Sequence, residues 1–176
     1  MGTDKALLCW QGVPLLERVC RAALQGCSTV NVLTPWPERY QHFLPAGCQS
    51  LVETKPGQGP LVALEQGLGQ ISTTWLLLLA CDLPVLNPII LQKWINRLPG
   101  HDVKAVVPYN AGRWEPLCGF YHRRSHPLLQ SFIAQGGRSC QHWLSTFTPQ
   151  KLALDTSAKA MLWNCNSPED LKSPKV

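Results

Sequence analysis

Apolar positions along this chain fall into two rhythms, and their alternation sets the expected architecture. From Trp75 to Leu79 five apolar residues run without a break, followed by Ala80, Cys81, the carboxylate Asp82, Leu83 and Pro84. A short unbroken apolar run ended by a turn signal predicts a strand covered on both faces, of the kind found in the middle of parallel sheets. Ligands of open α/β sheets lie beyond the carboxyl ends of the strands, and Asp82 stands at such an end. A desolvated carboxylate there calls for a cationic companion, usually a metal ion. The plainer alternative is an aspartate that begins the turn before Pro84.

The second rhythm is helical. Behind Pro14, the residues Leu15, Leu16, Val19, Cys20 and Ala23 share one helix face that ends at Gly26. Leu61, Leu64 and Leu68 repeat the spacing behind Pro60. So do Ile89, Ile90, Trp94, Ile95 and Leu98 behind an Asn87 cap and Pro88. Ser125–Ala134 forms a further helix with Leu128, Leu129, Phe132 and Ile133 on its apolar side, and Ser139 caps a short one through Leu144. Strands are expected at Thr29–Thr34, Leu51–Val52, Lys104–Tyr109, Pro116–Tyr121 and Lys151–Asp155. A last short helix starts behind Ser167. Strand and helix alternate over the first hundred residues, which predicts βαβ units and a parallel sheet within one domain spanning 1–176.

Composition narrows the function more than the fold. The chain is 45% hydrophobic and 15% charged, a globular balance, with no apolar run near the length of a membrane span and no basic-then-apolar leader. A cytoplasmic location is expected. Its net charge of +5 suits a small anionic ligand. Lysine and arginine are nowhere dense enough for a nucleic-acid face. The eight cysteines form no Cys-x-x-Cys pair, which argues against zinc, and Cys20, Cys81 and Cys118 sit in apolar patterns as small hydrophobes. The loop Lys55-Pro56-Gly57-Gln58-Gly59-Pro60 delivers a helix N-terminus beside two glycines, a place hospitable to phosphate or carboxylate. It is not a Walker A loop, and an ordinary turn would look similar. His122, between Tyr121 and two arginines, reads as a solvated strand end.

Six short motifs, in order, add a resemblance. They are Met1-Gly2-x-Asp4-Lys5-Ala6-Leu7, Pro56-Gly57-x-Gly59-Pro60-Leu61, Cys81-Asp82-Leu83-Pro84, Glu115-Pro116-Leu117-Cys118-Gly119-Phe120-Tyr121, Gly136-Gly137-Arg138-Ser139, and Asn164-Cys165-Asn166-Ser167-Pro168-Glu169-Asp170. Together they resemble the molybdenum cofactor guanylyltransferases. That resemblance implies a three-layer, doubly wound, mostly parallel sheet of nucleotidyltransferase type. It also implies transfer of GMP from GTP to molybdopterin with release of pyrophosphate, supported by Mg2+. By position, Lys5 resembles the lysine that contacts the nucleotide phosphates, Glu53 falls where an aspartate stands near the guanosine, and Asp82 resembles the magnesium-binding aspartate. Arg138, Asn164 and Asn166 fall in motifs of the pterin side, where capping and loop hydrogen bonds would equally explain them. Other cofactor-assembly proteins or acceptor molybdoenzymes are the partners such an enzyme would meet.

The chemistry explains the residue types. A phosphate oxygen attacking the α-phosphorus brings two anions together, so a flexible point charge at Lys5 and a cation on Asp82 offset repulsion. The resemblance also carries departures. Family members begin with an apolar strand and a Leu-Ala-Gly-Gly-x-Ser-x-Arg-Met-Gly loop, whereas this sequence starts at the Met-Gly. That strand would lie between Thr29–Thr34 and Trp75–Ala80. Either Met1 is internal to a longer natural protein, or the chain is a truncated, non-catalytic relative that binds a partner or pterin. Leu33 and Glu53 depart from the family's asparagine and aspartate, so CTP or a sugar phosphate is the competing substrate.

Overall fold

The computed structural model describes residues 4–100, 102–165, 167 and 169–172. Strands β1 (Cys9–Trp10) and β2 (Val13–Pro14) pair antiparallel around Gln11 and Gly12. Both turn residues have positive φ, 52° and 78°, the type I′ geometry that matches strand twist and that glycine adopts without penalty. Helix α1 (Leu15–Leu24) follows Pro14 directly, and all five residues of its expected apolar face are buried. β3 (Val30–Thr34), the short α2 (Pro37–Tyr40) and β4 (Cys48–Val52) come next. β4 is longer than expected because its first three residues, Cys48–Ser50, are held by the parallel ladder with β3 rather than by an apolar pattern.

The loop after β4 leads into α3 (Pro60–Gln70), and β5 covers Trp75–Leu79, as the apolar run predicts. α4 (Pro88–Ile95) is capped by the Asn87 carboxamide oxygen, which accepts from the Ile89 and Ile90 N–H groups at 2.9 and 3.3 Å. β6 (Ala105–Asn110) and β7 (Arg113–Trp114) form a second two-residue hairpin, over Ala111 and Gly112, that the sequence reading misses. β8 (Cys118–His122), α5 (His126–Ala134), α6 (Cys140–Ser145), β9 (Gln150–Leu152) and α7 (Thr156–Met161) complete the regular structure.

Helices cover both faces of the sheet that contains β5. On one face Val19, Leu91, Trp94 and Met161 pack against Trp75, Leu77 and Leu79. On the other Leu61, Leu64, Leu129 and Trp143 pack against Leu76 and Leu78. The expected layered, doubly wound α/β arrangement is present. A third cluster joins Ala6, Leu16, Cys20 and Tyr40 beneath β3 and β4.

Four details depart from the sequence reading. The strand order is β5-β8-β6-β7 with β9 on β6, and β3–β4 forms a separate pair. The ladders are mixed: β3/β4 and β6/β9 run parallel, while β5/β8, β6/β8 and β6/β7 run antiparallel. β5 thus pairs antiparallel rather than parallel. Among the described residues it pairs only with β8, and all five of its residues are half-buried, because helices cover its faces but its other edge lies open. Two expected core residues, Ile89 and Leu128, are 65% and 43% exposed, since the apolar stripes of α4 and α5 centre on Leu91 and Leu129 instead. His122, expected in solvent, is buried; its Nδ1 accepts from the Arg124 N–H at 3.1 Å and its ring meets Trp75 edge-on at 4.9 Å. Among the described residues no helix is long and apolar enough to cross a membrane.

Candidate active site

Asp82 lies three residues beyond β5, on a tightly held loop. The Cys165 N–H donates to the Asp82 carbonyl at 2.9 Å, and Arg18 Nε donates to the Pro84 carbonyl at 3.1 Å. Leu83 is buried beneath. The backbone is thus fixed while the carboxylate stays partly accessible, at 21% side-chain exposure. Burial pushes its pKa above the ordinary aspartate value of 3.8, and Lys5 pulls it partly back. A carboxylate held at this cost is suited to a cation.

Lys5 faces it, with Nζ 4.0 Å from Asp82 Oδ2. That distance is an ion pair but too long for a hydrogen bond. The position of Lys5 comes from Asp4. One Asp4 oxygen caps the 3-10 turn Lys5–Leu7 by accepting from the Ala6 N–H at 3.1 Å. The other accepts from the Tyr40 hydroxyl at 2.8 Å and pairs with Arg39 at 3.1 Å. With Asp4 bound to α2, the next side chain is left to face Asp82. Sequence reasoning misses Asp4, Arg39 and Tyr40 because their partnership spans 36 residues.

The loop from Glu53 to Gly59 lies at the carboxyl end of β4 and leads into α3. Gln66 fastens the loop's start: its carbonyl oxygen accepts from Thr54 N–H and Oγ1 at 2.9 and 3.0 Å, and its amide donates to the Val52 carbonyl at 2.7 Å. Gly59 caps α3 with φ 88° and ψ 171°, a conformation open in practice to glycine alone, and no side chain caps the helix. Pro60 has no N–H, and the Val62 and Ala63 N–H groups donate to the Gly59 carbonyl at 3.2 and 3.4 Å, so the Leu61 N–H and the helix dipole are what the start of α3 offers an anion. Glu53 is half-buried, tied to β3 by its N–H on the Thr34 carbonyl at 2.9 Å.

The expected pterin-side residues separate. Asn164 lines a cavity of about 370 Å3 that begins at Leu83. The Arg138 guanidinium donates to the Ile133 and Gly137 carbonyls at 3.0 and 2.8 Å, closing the end of α5. The structural alternative accounts for Arg138 as it stands. Asn166 lies outside the described residues. The same cavity brings in Arg113, Glu115 and Gln141, to which the sequence reading gives no role. Glu115 is half-buried, and burial raises its pKa against the opposing pull of Arg113. Its place in the Glu-Pro-Leu motif was the available signal.

Among the described residues no group of three or more histidine, cysteine or acidic side chains could hold a metal by itself. Mg2+ does not require one, because it commonly uses one or two carboxylates together with substrate phosphates. Asp82, an oxygen ligand beside room for phosphates, fits that requirement.

Comparison with known proteins gives a consistent answer. A MobA-like NTP transferase domain matches residues 1–150. The chain is 50% identical over 173 residues to a probable molybdenum cofactor guanylyltransferase of Nostoc sp., covering 97% of this chain and 82% of that one. A protein of the same name from Synechococcus elongatus is 44% identical, with 97% and 89% covered. Among solved structures, molybdopterin-guanine dinucleotide biosynthesis protein A of Archaeoglobus fulgidus superposes with a TM-score of 0.79 at 18% identity, over 99% of this chain and 90% of that one. A 2-C-methyl-D-erythritol 4-phosphate cytidylyltransferase from Thermus thermophilus gives 0.66 at 15% identity, over 97% and 92%, and shares the fold.

Proposed function

Because this chain belongs to the MobA-like NTP transferase family, we propose that it transfers GMP from GTP to the phosphate of molybdopterin, releasing pyrophosphate. The observation that carries this reading is Lys5 Nζ set 4.0 Å from Asp82 Oδ2, just beyond the carboxyl end of β5. In the reaction an oxygen of the acceptor phosphate forms a bond to the α-phosphorus of GTP, and the bond from that phosphorus to the bridging oxygen of the β-phosphate breaks. The electron pair leaves with pyrophosphate. No proton need move, so catalysis consists of alignment and charge compensation.

Asp82 would hold Mg2+ together with the phosphates; once bound, that ion supplies positive charge and orients the leaving group. Lys5 places its ammonium against the phosphates, with Asp4, Arg39 and Tyr40 keeping the turn beneath it in place. The dipole of α3, with the Leu61 N–H at its start, adds a third source of partial positive charge. Glu53 is assigned to the donor edge of guanine, where its carboxylate accepts from N1–H and the 2-amino group. The reaction is assigned to the cytoplasm, where GTP is made.

The test is pyrophosphate release and dinucleotide formation by the purified protein with molybdopterin, Mg2+ and each of GTP, CTP and ATP. Turnover with GTP that falls at least about 100-fold in Asp82→Ala, as removal of a key charge-stabilising group does, supports the assignment. Undiminished turnover in that variant, or a preference for CTP, overturns it.

A further inference from the structure

A cavity lies next to the Asp82 loop, with Leu83 and Asn164 in its wall. Its volume of about 370 Å3 is ample for a bicyclic heterocycle, and its walls include Leu83, Trp114, Pro116 and Leu162. It adjoins the Asp82 loop: Leu83 follows Asp82, and the Cys165 N–H, one residue past the lining Asn164, donates to the Asp82 carbonyl at 2.9 Å. The Ala80 N–H reaches the Leu117 carbonyl at 2.8 Å on the facing wall.

That wall is rigid. Gln141 grips the Trp114 backbone from both sides, accepting from its N–H at 3.2 Å and donating to its carbonyl at 2.6 Å. Trp114 also meets Tyr109 edge-on at 4.7 Å. Glu115 is held at both backbone groups, its N–H donating to the Pro108 carbonyl at 2.9 Å and its carbonyl accepting from the Cys118 N–H at 3.2 Å. Among the described residues its carboxylate has no hydrogen bond and no ion pair within 4.0 Å. A fixed, half-buried carboxylate with no hydrogen bond of its own, in a slot that combines apolar walls with Arg113, Gln141 and Asn164, matches a ligand that presents two adjacent N–H donors.

The 2-amino-4-oxopyrimidine edge is such a ligand, and it occurs both in guanine and in a pterin. Two carboxylates could read it: Glu53, which follows β4 of the β3–β4 pair, and Glu115, which follows the β6–β7 hairpin. We infer that Glu115 is the specificity-determining residue for the acceptor, its carboxylate accepting from N3–H and the 2-amino group of the pterin ring seated in the Trp114–Gln141 cavity. The inference rests on the acceptor being a pterin phosphate, as proposed above. Trp114 and Gln141 are positioning residues for it.

The experiment compares wild type, Glu115→Gln and Glu53→Gln, with thermal unfolding as the folding control and fluorescence titration as the readout. The probes are pterin, its 2-oxo counterpart lumazine, and GTP with Mg2+. Glu115→Gln is expected to weaken pterin binding about 10- to 100-fold, the worth of a hydrogen bond to a charged group. It should shift preference toward lumazine, whose 2-oxo group accepts from the new carboxamide, and leave GTP binding unchanged. Glu53→Gln should do the reverse, weakening GTP alone. The gain toward lumazine cannot arise from misfolding. Loss of GTP binding in Glu115→Gln, or pterin binding unchanged in that variant, overturns the inference. Wild type that binds pterin in this Glu115-dependent way yet forms no dinucleotide from GTP would sink the proposed reaction and keep the site.

Discussion

Lys5 is an exposed-looking lysine in sequence, and its role depends on what Asp4 does next to it. The Asp4 carboxylate satisfies the Ala6 N–H, the Tyr40 hydroxyl and Arg39 at once. Tyr40→Phe removes one of these at a buried site and should cost about 1.5–3 kcal/mol in chemical denaturation, since the acceptor is charged. It should also raise KM for GTP by loosening the turn that bears Lys5. Tyr40 gives a pH signature as well. Burial and its hydrogen bond to Asp4 push the phenol from 10.0 up to about 12. Below pH 10 both folded and unfolded chains keep the proton, so the stabilisation is fully present. Between about 10 and 12 only the unfolded chain releases it, so stability falls with rising pH. Denaturation curves of wild type against Tyr40→Phe across this range check the sign; a pH-independent difference would rule it out. Asp82 was legible as a lone acid closing an apolar run. Asp4 was not, because a carboxylate that caps a turn looks the same in sequence whether or not it holds a distant tyrosine.

Among the elements, α3 and its entry loop carry the clearest local logic. Pro60 starts the helix and Gly59 turns into it, both readable from residue type, yet the anion-ready N-terminus depends on backbone angles. A Cβ at Gly59 would meet nothing within 4 Å, so Gly59→Ala is penalised by conformation alone, about 1–3 kcal/mol at φ 88°. The expected result is reduced stability and a several-fold rise in KM for GTP. Unchanged values would mean that the loop does not need this geometry. Gln66→Ala should free Thr54 and the Val52 carbonyl together and make the 53–59 loop a preferred cleavage site in limited proteolysis. α1 was legible in full because its whole apolar stripe is buried, Val19 against the β5 face and Leu16 and Cys20 beneath β3 and β4. α4 and α5 were read one step out of phase at Ile89 and Leu128, since the side of a helix that meets the sheet is set by the neighbouring helices. The hairpins were hidden because two-residue strands are too short to show alternation.

At the scale of the whole molecule, burial sorts the cysteines. All eight are free; Cys20, Cys118, Cys140 and Cys165 are buried, and Cys9 is exposed. Burial lifts the Cys20 and Cys118 thiols to about 12, so their thiolates, the reactive form, are scarce at neutral pH. Mass spectrometry of the native protein after brief treatment with iodoacetamide should find Cys9 labelled first and the four buried thiols labelled only after unfolding. Added reductant should leave the midpoint of thermal unfolding unchanged. Fast labelling of Cys20 or Cys118 in the native state would contradict the packing described here.

Patterns set by near neighbours in the chain were determined by sequence alone: the boundaries of β5, the caps at Asn87 and Ser139, the proline starts of α3 and α4, and the strand-end position of Asp82. These depend on backbone hydrogen bonding and side-chain periodicity over a few residues, which composition and order encode directly. Tertiary structure decided whatever required two distant segments to meet. It paired β5 with β8 in the antiparallel sense, buried His122 against Trp75, turned Arg138 onto the α5 carbonyls, and gathered Glu115, Gln141 and Asn164 around one cavity. Local preferences leave such partners undetermined, because contact across the fold is selected by the packing of all elements together rather than by any one stretch.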